Sequence, residues 1–247
     1  MQNRDVGDVP DFGKYTLLNA LCCPQPPKDG PNLVLGVVWY LTPDDKKRGK
    51  VHISSEQCAN LADCDPELWN KLKRIPRDIG AIEQRQILCP VTKFYSLQTP
   101  DNPFIRESSW KSGALKATEG CDLVFLDPDT GVWAWPEKQE RDEDPKKYVL
   151  LEEIPPYLHR NQSIVIYQHF REDGKDRYLL KKWSSIKRQP PKRQGFALRY
   201  DVGPVHVRFI VIPSEKDGAI LSTRAQSLVA HDRWQQFFTS VSLPNNP

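Results

Sequence analysis

The sequence predicts a single α/β domain over residues 1–247, with a mostly parallel sheet flanked by helices and a C-terminal antiparallel hairpin. Three observations predict it. Short apolar runs at 33–41 (LVLGVVWYL), 123–126 (LVFL) and 163–167 (SIVIY) alternate with helical segments. A run that is apolar at successive positions reads as a strand buried on both faces, as in parallel sheets. Near the end of the chain, 196–200 and 205–212 flank Asp201-Val202-Gly203-Pro204, which is turn chemistry between two strands.

The elements follow in order. Asp11 caps a helix carrying Tyr15, Leu17, Leu18 and Leu21, and Pro24, Pro26, Pro27, Gly30 and Pro31 end it. The strand at 33–41 stops at Thr42-Pro43-Asp44-Asp45. Asp65-Pro66-Glu67 opens the next helix, with the cap followed by proline at the first position. A short helix at 79–88, a short strand at 93–97 and a helix at 110–118 lead to the strand at 123–126. The charged stretch 137–145 reads as an exposed loop and 147–158 as a helix or turn. Leu179, Trp183 and Ile186 mark one face of an amphipathic helix at 177–187. A last helix from about 223 is expected to bury Ala230, Trp234, Phe237, Phe238 and Val241. Within 205–212, alternation places Val207 and Phe209 inward and Arg208 outward. Trp39, Trp69, Trp110, Trp183 and Trp234 are expected in the core.

With 38% hydrophobic and 27% charged residues, the composition is that of a soluble globular protein. The run at 33–41 is too short to span a bilayer, so no membrane role is expected. No basic-then-apolar segment opens the chain, which points to the cytoplasm. Cys22, Cys23, Cys58, Cys64, Cys89 and Cys121 show no zinc spacing and read as free thiols in a reducing compartment. Net charge is only +3, but 171–199 holds ten Lys or Arg against three acids. Such a run is either a solvated face or a phosphate-binding surface. As the latter it would present Lys181, Lys182, Lys187, Arg188, Lys192 and Arg193 to nucleic acid.

The sharpest local feature is the end of the strand at 123–126. Pro128 removes a backbone donor and Gly131 permits a turn, so Asp127 and Asp129 sit at a strand's carboxyl end, where open α/β sheets bind ligands. A single Asp there is explained as a turn or helix cap. Two flanking a proline favour a site. His169 follows another buried strand and should lie at the same edge, as a catalytic group or as a histidine hydrogen-bonded to a neighbouring loop.

This order of elements resembles the class I methyltransferase variant of the Rossmann-like architecture, whose last two strands form such a hairpin. The helix with Asp8, Asp11, Lys14, Tyr15 and Leu18 resembles the Asp-x-x-Lys-His-x-x-Leu helix of the bacterial 23S rRNA adenine-N6 methyltransferases, with Tyr15 in place of the histidine. Leu126-Asp127-Pro128-Asp129 is similar to their Asp-Pro-Pro-Tyr motif. The resemblance implies S-adenosylmethionine as cofactor, with Lys14, Tyr15, Asp44 and Asp45 near it and Asp127 orienting a target amine on a nucleic-acid base. The chain departs from that pattern at Asp129 and Thr130, and its first strand ends without a glycine-rich turn. The chain is also similar to a group of uncharacterised bacterial proteins. They carry Asp-Phe/Tyr-x-Lys-Tyr-x-Leu-Leu, Gly-Val-x-Trp-Tyr-Leu-Thr, Phe-x-Asp-Pro-Asp-x-Gly and Tyr-Gln-His segments; this likeness implies no activity.

Two other readings stay open. Asp44, Asp127, Asp129 and Glu153 could gather Mg²⁺ for phosphodiester hydrolysis, since hard cations prefer carboxylates. Alternatively, the chain is a non-catalytic binding protein on a decayed methyltransferase core, for which the missing glycine turn speaks.

Overall fold

The computed structural model describes residues 1–24, 30–44, 52–53, 60–133, 144–170 and 176–244. Helix α1 (Val9–Cys22) comes first and strand β1 (Leu35–Val38) follows. Helices α2 (Pro66–Lys73) and α3 (Ile79–Gln84) precede β2 (Thr92–Tyr95). A helical stretch made of α4 (Pro103–Ile105), a π turn (Arg106–Trp110) and α5 (Lys111–Ala117) leads to β3 (Leu123–Leu126). Next come β4 (Gly131–Trp133), β5 (Tyr148–Leu150), α6 (Pro155–His159), β6 (Ser163–His169) and α7 (Arg177–Ile186). The chain finishes with the hairpin β7 (Phe196–Val202) and β8 (Val205–Ile212), α8 (Gly218–Ala230) and β9 (Phe238–Val241).

Among the described residues, seven strands form one sheet in the order β2-β1-β3-β6-β8-β7-β9, and β4 and β5 form a separate parallel pair. Strands β2, β1, β3 and β6 are mutually parallel. Strand β8 lies antiparallel between β6 and β7, so β7 runs in the direction of β6. The architecture is therefore α/β with a mostly parallel mixed sheet between helical layers. Both faces are covered, which is why the central strands are apolar at successive positions. On one face Val37, Phe125, Val165 and Phe209 pack with Phe12 and Leu18 of α1, Trp69 of α2 and Leu221 of α8. On the other Val38, Val124, Ile166 and Ile210 pack with Ala114 of α5, Tyr157 of α6 and Trp183 of α7. The five tryptophans expected in the core are all buried.

Several expectations need correction. The first strand is shorter than 33–41 because Tyr40 takes φ +43°, a left-handed conformation that a continuing strand forbids. The last helix begins at Gly218 and ends at Ala230, which is exposed. Trp234, Phe237 and Phe238 are buried as expected, but Phe238–Val241 is an edge strand paired with β7. Their spacing imitates a helix because the turn after α8 contains neither glycine nor proline. Arg208 does not face solvent: its face of the sheet lies under Phe170 and the start of α7. There it is fully buried and paired with Asp176 (2.9 Å) and Asp201 (2.8 Å).

The cysteines are not all free thiols. Cys23, just past α1, is disulfide-bonded to Cys89, with Cα atoms 6.0 Å apart. The Asn19 side chain donates to the Ile87 carbonyl at 3.1 Å and so holds the two segments together. Cys22, Cys64 and Cys121 are free and buried; Cys58 lies outside the described residues. Among the described residues no helix is long and apolar enough to cross a membrane.

Two of the quoted sequence segments interlock. Gly131 has φ +143°, and a Cβ there would meet the Gln168 side chain at 2.2 Å. The Gln168 amide, fully buried, donates to the Thr130 carbonyl at 3.0 Å and accepts from the Val132 N–H at 3.0 Å. Gly131→Ala is expected to displace Gln168 and strain the backbone, at a cost of about 1–3 kcal/mol. Urea denaturation of Gly131→Ala, Gln168→Ala and the double variant tests this. The double variant should lose less than the sum of the singles; strict additivity would refute the clamp.

Candidate functional site at the crest of the sheet

The carboxyl ends of β1, β3 and β6 form one edge of the sheet, here called the crest; the opposite edge is the foot. Helix α1 is built to reach the crest. Asp8 caps it by accepting from the Asp11 N–H at 2.7 Å, and Pro10 occupies its first turn, where no donor is needed. Asp11 and Lys14, three residues apart, fall on the same face. That face meets the end of β3, whose Asp127 donates its own N–H to Val38 of β1 at 2.9 Å.

Lys14, Asp11 and Asp127 are all buried, with side-chain exposures of 1%, 0% and 0%. The Lys14 ammonium lies 3.1 Å from Asp11, 2.9 and 3.0 Å from the two Asp127 oxygens, and 4.4 Å from the centroid of the Tyr167 ring. Burial alone would push Lys14 down, but Asp127 and Asp11 outweigh it and hold the ammonium well above the ordinary lysine value. Burial raises the Asp11 carboxyl above the usual carboxylate range; Lys14 draws it partly back, and the charge on Asp127 adds to the rise. Tyr15 is buried beside this group, and burial and Asp11 together push its phenol well up.

The first residues of the chain lie over the cluster. Met1 is 1% exposed and Gln2 is fully buried. The Met1 α-ammonium donates to the Tyr40 carbonyl at 3.1 Å and the Asp127 carbonyl at 3.5 Å. The Met1 carbonyl accepts from the Thr42 N–H at 3.0 Å. Asp44 is exposed on the same edge and accepts from the Arg4 N–H at 3.2 Å. Thus the chain segments after β1 and after β3 meet at the crest. Asp45 lies outside the described residues.

The remaining candidates are placed as follows. Asp129 is half-buried in the turn after β3, with Lys147 at 3.7 Å. His169 ends β6 on the crest; its backbone N–H bonds Thr130 at 2.9 Å, and its Nδ1 lies 3.4 Å from the Tyr167 hydroxyl. Glu153 is buried in a two-pronged pair with Arg106 (2.6 and 2.8 Å) and accepts from the Tyr40 hydroxyl at 3.0 Å. Among the described residues no group of three or more His, Cys, Asp or Glu converges as a metal requires. Two of the four proposed ligands, Asp127 and Glu153, are neutralised by Lys14 and Arg106.

The basic run does not line the crest. Helix α7 returns from the end of β6 to the foot, where β7 begins. Lys187, Arg188 and Lys192 follow α7 toward the foot, and Arg193 bonds Asn161, just ahead of β6, at 3.0 Å. Lys181 is exposed on α7. Lys182 does not belong to that surface: it is fully buried, its ammonium 4.8 Å from the Tyr178 ring centroid. Its helix position turns it toward the sheet.

Four groups at the site were not among the sequence candidates: Asp11 as a charge rather than a cap, Met1, Tyr167 and Gln168. Only Asp11 carried a usable signal, its spacing of three residues from Lys14. No protein-family model, no curated protein and no solved structure matches this chain.

Lys14→Met leaves two carboxylates buried without their cation, and a loss of about 3–5 kcal/mol is expected. Adding Asp127→Leu should recover part of it; a double variant less stable than the single would refute the pairing. The pH dependence has a definite sign. A lysine raised above its unfolded value, about 10.4, contributes fully below that pH and loses the contribution as pH climbs through its folded value. Alkaline denaturation should therefore be steeper above about pH 10.4 in the native chain than in Lys14→Met.

Proposed function

We propose that this chain is a methyltransferase-like protein that binds S-adenosylmethionine at the crest, with Asp127 set to accept a hydrogen bond from a target amine. The observation that carries the reading is the contact between Lys14 and Asp127. The resemblance placed Lys14 beside the cofactor and Asp127 at the target amine, and the two meet at 2.9 Å although 113 positions apart. The strand order supports it as well, with β8 inserted antiparallel between β6 and β7 as the closing hairpin of that architecture. The crest also fits the amino-acid end of the cofactor. Two backbone carbonyls, of Tyr40 and Asp127, accept from an ammonium group there.

When bound, the cofactor supplies the methyl group. The chain's residues do the rest. Lys14 keeps the Asp127 carboxylate oriented, the Arg106–Glu153 pair fixes Tyr40 under the crest, and Gln168 holds the turn that follows Asp127. The basic residues at the foot are remote from this chemistry, so the proposal assigns no nucleic-acid surface to the crest.

The non-catalytic reading has one observation of its own: Asp127 is fully buried. Calorimetric titration with S-adenosylmethionine, without metal, tests the cofactor that the first reading requires. The methyltransferase-like reading expects binding by the native chain and by Asp127→Asn, and heat unchanged by added Mg²⁺. No binding heat from the native chain would sink it.

A further inference from the structure

We infer that β2 is a dimer edge: it pairs antiparallel with β2 of a second copy of this chain, about a two-fold axis at Phe94, so that one sheet runs through both copies. The inference is independent of the cofactor reading above.

Among the described residues β2 is the outermost strand on its side of the sheet. Its partners on β1 run from Leu35–Thr92 to Val38–Tyr95, and the same offset recurs in the Leu41–Gln98 bridge. The hydrogen bonds show which backbone groups β1 uses. The Tyr95 carbonyl accepts from the Trp39 N–H at 3.1 Å, and the Thr99 N–H donates to the Leu41 carbonyl at 2.8 Å. Along a strand, successive residues turn their backbone groups to opposite sides. Lys93, Tyr95, Leu97 and Thr99 therefore face β1, and Thr92, Phe94 and Ser96 turn theirs outward. Such a row of outward groups is a template for another strand. Lysine is a common guard of open edges, but Lys93 is tied back to the Glu119 carbonyl at 2.5 Å.

The edge is also apolar. Among the described residues five large hydrophobic side chains are exposed, and Val91, Leu97, Phe104 and Ile105 are four of them. The Trp110 indole donates to the Leu97 carbonyl at 3.0 Å, so the helical stretch carrying Phe104 and Ile105 lies at the same end of β2 as Leu97. The other edge of the sheet, β9, carries none of the five. The register identifies the occupant. Val91 (65% exposed) and Leu97 (64%) each lie three residues from Phe94, one on either side. A two-fold axis at Phe94 makes Phe94 exchange both backbone bonds with its twin. Thr92 then bonds Ser96 of the partner subunit, and Val91 lies opposite Leu97 of the partner subunit. An axis at Lys93 would set two lysines directly opposite, which is destabilising. An axis at Tyr95 would set Leu97 opposite a lysine and Val91 opposite Thr99, which is buried. Only the Phe94 register matches apolar with apolar, and Pro90, which has no N–H, ends the ladder. Because the strands are antiparallel, each crest lies beside the partner's foot.

Sedimentation of the native chain over a dilution series is the first test. A dimer is expected, and a monomer at every concentration overturns the inference. Three variants then locate the interface. Ser96→Pro removes an outward donor that β1 does not use, and proline is tolerated on an edge strand. Val91→Lys and Leu97→Glu each set a charge against an apolar side chain. Each of the three is expected to weaken the dimer about ten-fold or more. Val91→Lys combined with Leu97→Glu in one chain sets opposite charges across the axis, and this double variant should regain about ten-fold over either single. All three positions are exposed, so thermal unfolding should show an intact fold in each variant. A dimer that survives Ser96→Pro and both single charges, or a double variant as weak as the singles, overturns the inference.

Discussion

A lysine ammonium shut between two carboxylates sets the geometry of the crest. Lys14, Asp11 and Asp127 have essentially no contact with solvent. A charge in that position is tolerated only while its partners stay within hydrogen-bonding reach. Helix α1 must therefore keep one face on the end of β3, and β3 must end where it does. From this follow the placement of Tyr15 and Tyr167 around the cluster, the join of the first residues to α1 through Gly7 and Asp11, and the position of Met1 above Asp127.

The other buried polar groups act as ties between chain segments. Arg106 joins the π turn before α5 to Glu153, and through Glu153 to Tyr40. It also donates to the carbonyls of Pro145 and Tyr148, which anchors β5. Gln168 does the same for the turn after β3. Glu153 and Gln168 thus hold backbone and neighbouring side chains, and Asp127 stands at a strand end beneath Met1.

The hydrophobic pattern determined much by itself. The central strands, the helix with its Asp65-Pro66 start and the closing hairpin follow from local periodicity and capping, which depend on neighbours in sequence. The end of β3 at Asp127 was legible for the same reason, because a proline and a glycine stop a strand wherever it lies. The pairing of Lys14 with Asp127 was legible only through the motif likeness, since no local rule joins positions 113 apart.

Only the tertiary structure decided the rest. Alternation places Arg208 on a defined face, but whether that face meets water depends on Phe170 and Asp176 crossing it. Lys182 and Glu153 read as solvent-facing or metal-binding until packing supplies Tyr178 and Arg106. Phe238–Val241 carries a helical spacing, and the open edge of β7 makes it a strand. The burial of Met1 has no trace in composition or period. It depends on the ends of β1 and β3 lying side by side, where the Tyr40 and Asp127 carbonyls both accept from the Met1 nitrogen.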